Sequence, residues 1–369
     1  MARTFGAPDI LGAIRREITT ATYRARNGIN YLTMEKSEGL NPTPRVLVGS
    51  REKVKLWKYP SKNKKFAEPI VVFLGLVSRS YVLDLMPGKS FVGQLGDAGY
   101  DVYVIDWGQP DAAESENALE TYVDFYLPRA FKLVQKDSGS KDIHVIAYCF
   151  GAILALMYLG TRRSTPVKSL VTLAAPVDFR HMPVHTQPFQ DGSFNPDDLI
   201  NDEGFVPADI IYRGMAVRTP TYDVSQAVGL WEKLASAPDS GAVEAHAAMA
   251  NWVRDHVNFP GVAFKQFVKD FLMDNGFING SARTGSKRVD LSRIEIPILS
   301  VVAERDDLIP PPVSFPLRGL VDEELYEEVV LPAGHVGLVL GGTAKKITIP
   351  SIAGFFDRHS TPVVAEEAT

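Results

Sequence analysis

The chain has 369 residues, with 39 lysines and arginines against 44 aspartates and glutamates, which gives a net charge of −5. This balance gives no reason to expect nucleic-acid binding, which needs a basic surface. A single cysteine excludes an intrachain disulfide and a thiolate zinc cluster. Since the N-terminus lacks a signal core and no apolar run is long enough to cross a bilayer, we expect a cytoplasmic protein without membrane spans.

The N-terminal residues 1–45 are predicted to form a helical segment followed by a linker. Ile10, Leu11, Ile14 and Ile18 recur at helical spacing among charged residues. This pattern is typical of an amphipathic helix packed on the body of the protein, with a partner-binding arm as the alternative.

The body of the chain alternates strand-like and helix-like segments, which indicates a mostly parallel sheet flanked by helices. An edge strand is predicted at 54–59, and further strands at 69–75, 101–107, 143–146, 168–173, 297–302 and 325–331. Helices are predicted at 90–98, 119–134 and 347–356, and from Phe150 onward. The continuous apolar run at 69–75 predicts burial on both faces, as in a parallel sheet. The predicted fold class is therefore α/β.

The alternation lapses between 180 and 290, where prolines and helical segments such as 242–253 and 261–271 replace it. We interpret this region as a largely helical cap inserted between sheet strands, a usual place for substrate selection. Its aromatic side chains suit either an apolar tunnel or a helical core: Phe205, Tyr212, Trp231, Trp252, Phe264, Phe267 and Phe271. The predicted domains are a core of 46–179 and 291–361, a cap of 180–290 and a tail of 362–369.

The most informative stretch joins a predicted strand to a predicted helix at Ala147-Tyr148-Cys149-Phe150-Gly151. This resembles the nucleophile elbow G-x-S-x-G, with cysteine for serine and alanine for the first glycine. Small residues are needed there because strand and helix approach each other closely. The alternative is a buried junction with an inert core cysteine.

Two further residues follow strand ends in the order expected for a catalytic triad. Asp306 comes after the 297–302 strand and His335 after the 325–331 strand. The order nucleophile, acid, histidine is that of the α/β-hydrolases. His335 would take the thiol proton from Cys149, and Asp306 would orient the imidazole. Asp307 is the rival acid, and Asp306 is favoured by its spacing to Leu308 and Pro310.

The same architecture predicts an oxyanion hole of two backbone N–H groups. One comes from Phe150, the residue after the nucleophile, and the other from the loop that follows the 69–75 strand. The remaining six histidines have no comparable setting, so we expect them on the surface or in the core, and no metal site is predicted.

With the triad placed, the sequence resembles the short catalytic subunit of polyhydroxyalkanoate synthases, within the α/β-hydrolase superfamily. The matching stretches span nearly the whole chain and include GLVSRSYVLDLMPGKSF (75–91), DVYVIDWGQPD (101–111), LAAPVDF (173–179), ERDDLIPP (304–311) and AGHVGL (333–338). The chain departs from the family pattern at Ala147, Ala152 and Asp307.

The resemblance implies that (R)-3-hydroxyacyl-CoA is polymerised into polyester with release of CoA, without a further cofactor. It implies that Cys149, Asp306 and His335 are catalytic and that Val77 and Phe150 supply the oxyanion N–H groups. The implied partners are the growing polyester chain, the surface of cytoplasmic polyester granules, and a helper synthase subunit or a second copy of the chain.

Two alternatives stay open from the sequence alone. One is a hydrolase that uses the same triad: a thioesterase, an esterase or a polyester depolymerase. The other is a catalytically weak subunit that acts at the granule surface or in assembly, against which the complete triad counts.

Overall fold

An eight-stranded sheet occupies the centre of the molecule. The computed structural model describes residues 10–33, 40–183, 186–216, 222–237 and 240–363. The strands of the sheet are β1 (Val46–Arg51), β2 (Val54–Tyr59), β3 (Ile70–Phe73), β4 (Val102–Asp106), β5 (Ile143–Tyr148), β6 (Val167–Leu173), β11 (Ile298–Ala303) and β12 (Tyr326–Leu331). Two small hairpins contain β7 (Phe205–Val206) with β8 (Phe259–Pro260), and β9 (Arg283–Thr284) with β10 (Lys287–Arg288).

Helices flank the sheet and fill the region between β6 and β11. They are α1 (Ile10–Thr33), α2 (Phe91–Asp97), α3 (Leu127–Ser138), α4 (Phe150–Gly160), α5 (Gln187–Gln190), α6 (Ala208–Ala216), α7 (Tyr222–Leu234), α8 (Ala242–Arg254), α9 (Gly261–Phe267), α10 (Gly276–Asn279), α11 (Pro311–Ser314), α12 (Gly341–Thr343) and α13 (Ile349–His359). Three π-helical segments adjoin α3, α9 and α13 at Thr121–Tyr126, Val268–Met273 and Ala344–Thr348.

The order of strands across the sheet is β1-β2-β4-β3-β5-β6-β11-β12. The six strands from β4 to β12 in this order are parallel, whereas β1 and β2 run antiparallel at one edge. The α/β fold predicted from the alternation of strands and helices is therefore confirmed. The carboxyl ends of β3, β5, β6, β11 and β12 meet at one edge, which is where the predicted site residues follow their strands.

The prediction of 54–59 as the edge strand is wrong, because β1 lies outside β2. β1 has the sequence VLVGSR and most of its side chains are exposed, so it shows neither the apolar–polar alternation nor the long apolar run that predicts a strand. The helix predicted at 119–134 is also interrupted. Pro128 has no N–H to donate, which is consistent with the π-helical turns before α3.

Apolar side chains pack on both faces of the sheet. Val71 and Phe73 of β3 join a core on the side of α3 and α4. Ile70 and Val72 of the same strand point the other way, into a core with α2 and α13. This alternation produces the continuous apolar run seen in the sequence, because both faces of the strand are buried.

The segment α5 to α10 lies in the chain between β6 and β11, where the cap is predicted. Helix α1 packs against it, since Asn27 Nδ2 donates to the carbonyls of Leu234 and Ser236, at 2.9 Å each. The N-terminal helix prediction rested partly on Ile10, Leu11 and Ile14, whose side chains lie outside the described residues. Residues 364–369 of the predicted tail and His185 also lie outside them. No helix within the described part of the chain is long and apolar enough to cross a membrane.

One of the six other histidines is buried within the sheet region of the core. His144 of β5 is fully buried, with Nδ1 2.8 Å from Ser169 Oγ and Nε2 2.9 Å from Ser360 Oγ. Burial opposes its charged form and lowers its pKa to about 3. The unfolded chain binds a proton near pH 6.5 and the folded chain does not, so stability falls as the pH drops below that value.

We therefore expect His144→Asn to flatten the acid side of the stability curve. The variant should be less stable at pH 7.5 by about 1–3 kcal/mol, because the Ser360 bond is lost. Below pH 6.5 the difference should shrink by about 1.4 kcal/mol per pH unit, since only the wild type carries this penalty. Urea unfolding at pH 7.5, 6.0 and 5.0 measures it, with the exposed His181→Asn as the control. Parallel curves for wild type and His144→Asn would contradict this account.

Candidate active site

Cys149 sits at the tip of a sharp turn between β5 and α4. Its backbone has φ 55° and ψ −122°, which is strained for a residue with a side chain and typical of a nucleophile elbow. Two hydrogen bonds hold the turn: Cys149 N–H donates to the Leu173 carbonyl and Ala152 N–H to the Cys149 carbonyl, both at 2.8 Å. The sulfur is thereby presented at the end of the strand, half-buried.

The turn depends on glycine where helix and strand meet. A Cβ on Gly151 would lie 2.8 Å from the Phe73 carbonyl oxygen, a distance that side-chain carbons do not adopt. A Cβ on Gly75, after β3, would lie 2.8 Å from the Cβ of Phe150. The close approach predicted from the small residues of the elbow is therefore present.

The structure brings His335 between the other two predicted residues. His335 Nδ1 lies 2.7 Å from Asp306 Oδ2, and since a carboxylate only accepts, Nδ1 carries a proton. Cys149 and His335 line the same cavity, and the electrostatic influence of Cys149 reaches the His335 ring. Since Asp306 occupies Nδ1, Nε2 is the ring nitrogen left for Cys149. The structure thus brings the three predicted residues together, with His335 contacting Asp306.

The two neighbouring aspartates have different surroundings. Asp306 is only 4% exposed, and its Oδ1 accepts from the N–H groups of Leu308 and Ile309, both at 2.8 Å. Both of its oxygens are therefore used. Asp307 is exposed and points away from this network. Of the two candidates for the acid, only Asp306 reaches His335.

The charge state of His335 follows from these contacts. Burial disfavours the imidazolium, but the negative charge of Cys149 and the hydrogen bonds from Asp306 and Cys149 outweigh it and raise the pKa of His335 to about 10. The raised pKa favours the imidazolium form of His335 at neutral pH. The thiolate is the nucleophilic form of cysteine.

Sequence reasoning missed Tyr148 as part of this site. Its ring stacks on that of His335, with centroids 4.9 Å apart, and its hydroxyl donates to the His335 carbonyl at 3.0 Å. Tyr148 thus holds both the ring and the backbone of His335. Its position directly before the nucleophile was the only signal in the sequence.

A cavity of about 440 Å³ opens next to Cys149 and His335. Val77 and Phe150, the predicted oxyanion residues, also line it, as do many apolar side chains of the cap region. Of the aromatic residues left open between a tunnel and a helical core, Tyr212, Trp252, Phe264 and Phe267 line the cavity. Phe205 and Phe271 are buried in the core instead, and Trp231 is 56% exposed beneath the Arg24 guanidinium.

The six other histidines differ from one another in their setting. His256 is buried, and it also lines the cavity beside Val77, which the sequence did not indicate. His144 is the buried core histidine described above. Among the described residues, no group of three or more His, Cys, Asp or Glu side chains is arranged to hold a metal ion.

Comparison with known proteins relates this geometry to a family. Residues 69–341 match the sequence model of the alpha/beta hydrolase fold family. The chain is 30% identical over 339 residues to the poly(3-hydroxyalkanoate) polymerase subunit PhaC of Synechocystis sp., covering 87% of this chain and 88% of that protein.

Two further relatives bear the same name. The Allochromatium vinosum subunit is 29% identical over 349 residues, which cover 94% of this chain and 97% of that protein. The Haloferax mediterranei subunit is 31% identical over 321 residues, covering 86% of this chain and 64% of that longer protein. The chain therefore belongs to the α/β-hydrolase family and, within it, to the poly(3-hydroxyalkanoate) polymerases.

Proposed function

We propose that this chain is a polyhydroxyalkanoate synthase that polymerises (R)-3-hydroxyacyl-CoA through a covalent acyl-Cys149 intermediate. The observation that carries the proposal is the presence of Cys149 and His335 at one apolar cavity, with His335 hydrogen-bonded to Asp306, in a chain of this family. Acyl transfer to a cysteine needs a nucleophile, a base that takes its proton, and a group that orients the base. Cys149, His335 and Asp306 would supply these three functions.

In the first proposed step, Cys149 Sγ attacks the carbonyl carbon of the CoA thioester while the thiol proton resides on His335. The developing oxyanion would be stabilised by the N–H groups of Val77 and Phe150. The carbon–sulfur bond to CoA then breaks, and CoA leaves with the proton from His335. Exchange of one thioester for another is nearly isoenergetic, so the acyl-enzyme persists until an acceptor arrives.

In the second proposed step, the 3-hydroxyl of another hydroxyacyl unit attacks the acyl-Cys149 carbonyl. His335 takes the hydroxyl proton and returns it to the sulfur as the ester bond forms and the thioester breaks. Water is the competing acceptor. The apolar lining of the cavity lowers the amount of water near the thioester, which favours transfer over hydrolysis.

The proposed reaction needs no resident cofactor, because CoA enters as part of the substrate and leaves as a product. A helper subunit, a homodimer and attachment to cytoplasmic polyester granules are implied by the family resemblance. These three remain proposals.

The product of acyl-CoA turnover tests this function. With (R)-3-hydroxybutyryl-CoA as substrate, we expect CoA release together with polyester that sediments and yields crotonic acid on acid digestion. CoA release with stoichiometric free 3-hydroxybutyrate would identify a hydrolase instead. No CoA release, with or without a helper subunit from a relative, would indicate a subunit without catalytic activity.

Covalent attachment to Cys149 is testable directly, since the chain has no other thiol. After exposure to a hydroxyacyl-CoA analogue that lacks an acceptor hydroxyl, the wild-type mass should rise by one acyl group. Cys149→Ala should show no increase, because no nucleophile remains, and should keep its thermal unfolding midpoint within a few degrees. A mass increase on another residue of Cys149→Ala would refute the assignment.

The two neighbouring aspartates provide a matched pair of variants. Asp306→Asn should lower turnover by about 10⁴-fold, as the same change does in a Ser-His-Asp triad. The Leu308 and Ile309 N–H groups would retain the amide oxygen, so the amide NH2 would face Nδ1 of His335 and favour the wrong tautomer. Asp307→Asn should change turnover by no more than about twofold, since its side chain is exposed. Steady-state CoA release measures both, and the reverse ranking would show that Asp307 is the acid.

A further inference from the structure

The loop after β3 is held by a segment of the cap region at several points. We define the oxyanion loop as residues 75–81 and the strap as residues 252–257, which run from the end of α8 toward β8. Ser78 of the loop pairs with His256 of the strap in an isolated antiparallel bridge. The position of Val77 is therefore set by the strap as well as by the end of β3.

The carbonyl of Val77 receives two donors from the strap. Val257 N–H donates to it at 3.1 Å, and His256 Nδ1 lies 3.2 Å from the same oxygen. A carbonyl oxygen only accepts, so His256 must carry its proton on Nδ1. Two donors on one carbonyl fix the orientation of the peptide group between Val77 and Ser78. This restrains the backbone of Val77, including its N–H.

The next residues of the oxyanion loop are tied to the same strap. Trp252 Nε1 donates to the Arg79 carbonyl at 2.9 Å. Asp255 accepts from Arg79 Nε at 3.2 Å and from the Tyr81 hydroxyl at 3.0 Å. Asp255 and Arg79 are partly exposed, whereas His256 is only 9% exposed. His256 is thus the strap residue whose side chain contacts the backbone of Val77, beside the backbone contact from Val257.

His256 suits this role because it is neutral. Burial lowers its pKa, and the carbonyl contact and nearby Asp255 only partly oppose that effect. A neutral imidazole donates to Val77 without bringing a positive charge into the apolar cavity that it lines.

We propose that His256 is a positioning residue for acyl transfer: its Nδ1–H holds Val77 so that the Val77 N–H points at the oxyanion formed on Cys149. This inference rests on the proposed function only in that Cys149 takes up an acyl group. It assigns a role in the reaction to a residue of the cap region outside the triad.

Comparing two reactions of the same sulfur tests the role. Acylation of Cys149 by p-nitrophenyl butyrate passes through an oxyanion, and its burst of p-nitrophenol reports the rate whatever the natural substrate is. Alkylation of Cys149 by iodoacetamide displaces iodide from a saturated carbon and forms no oxyanion. A contact that acts only on the oxyanion hole changes the first rate and leaves the second unchanged.

We expect His256→Leu to slow acylation by about 10- to 100-fold, less than the ~10²–10³-fold cost of removing an oxyanion donor outright. Alkylation should stay within about twofold of wild type. His256→Asn should restore most of the acylation rate, because its amide Nδ2 can replace Nδ1 as the donor. His335→Asn is the control that lowers both rates, since it removes the base.

A second variant covers the case in which His256→Leu does not fold. Asp255→Ala, at a side chain that is 45% exposed, releases Arg79 and Tyr81 and should slow acylation by a smaller factor, with alkylation again unchanged. Wild-type acylation in His256→Leu, equal losses in the leucine and asparagine variants, or a parallel fall of acylation and alkylation would each overturn the proposal. Failure of the proposed function is separate, since it appears as free 3-hydroxybutyrate in place of polyester, or as absence of the burst in wild type and Cys149→Ala alike.

Discussion

The strained backbone at Cys149 is the constraint on which the site depends. A residue with a side chain adopts φ 55° only where its surroundings enforce it, and here the Leu173 carbonyl and the first turn of α4 do so. Gly151 must lack a side chain because α4 passes against the end of β3. The turn lifts the sulfur clear of the sheet, so that a carbonyl carbon can approach it.

The residues that follow β11 and β12 lie beside that turn. Asp306 follows β11, and its carboxylate is fixed by two backbone N–H groups as well as by His335. His335 lies in the loop after β12, and the ring of Tyr148 stacks on its imidazole. Asp306 and His335 are therefore each held by at least two contacts, which fixes their positions relative to each other.

The segment between β6 and β11 lines the cavity and also contacts the loop after β3. Its aromatic side chains provide the apolar wall, and the strap of residues 252–257 reaches back to the loop that carries Val77. One segment therefore both lines the cavity and contacts the loop after β3. Under the proposed function, a shift of this strap would move Val77 without moving Cys149, His335 or Asp306.

The sequence by itself determined the parallel sheet, the elbow and the order of the three site residues, because these depend on local patterns of apolar and small residues. It also favoured Asp306 over Asp307 from spacing. It did not identify β1, whose exposed residues carry no periodic pattern, nor the role of Tyr148. It also missed His256, which is 179 residues from Val77. Contacts over such separations depend on how the cap region packs on the sheet, and only the tertiary structure decided them.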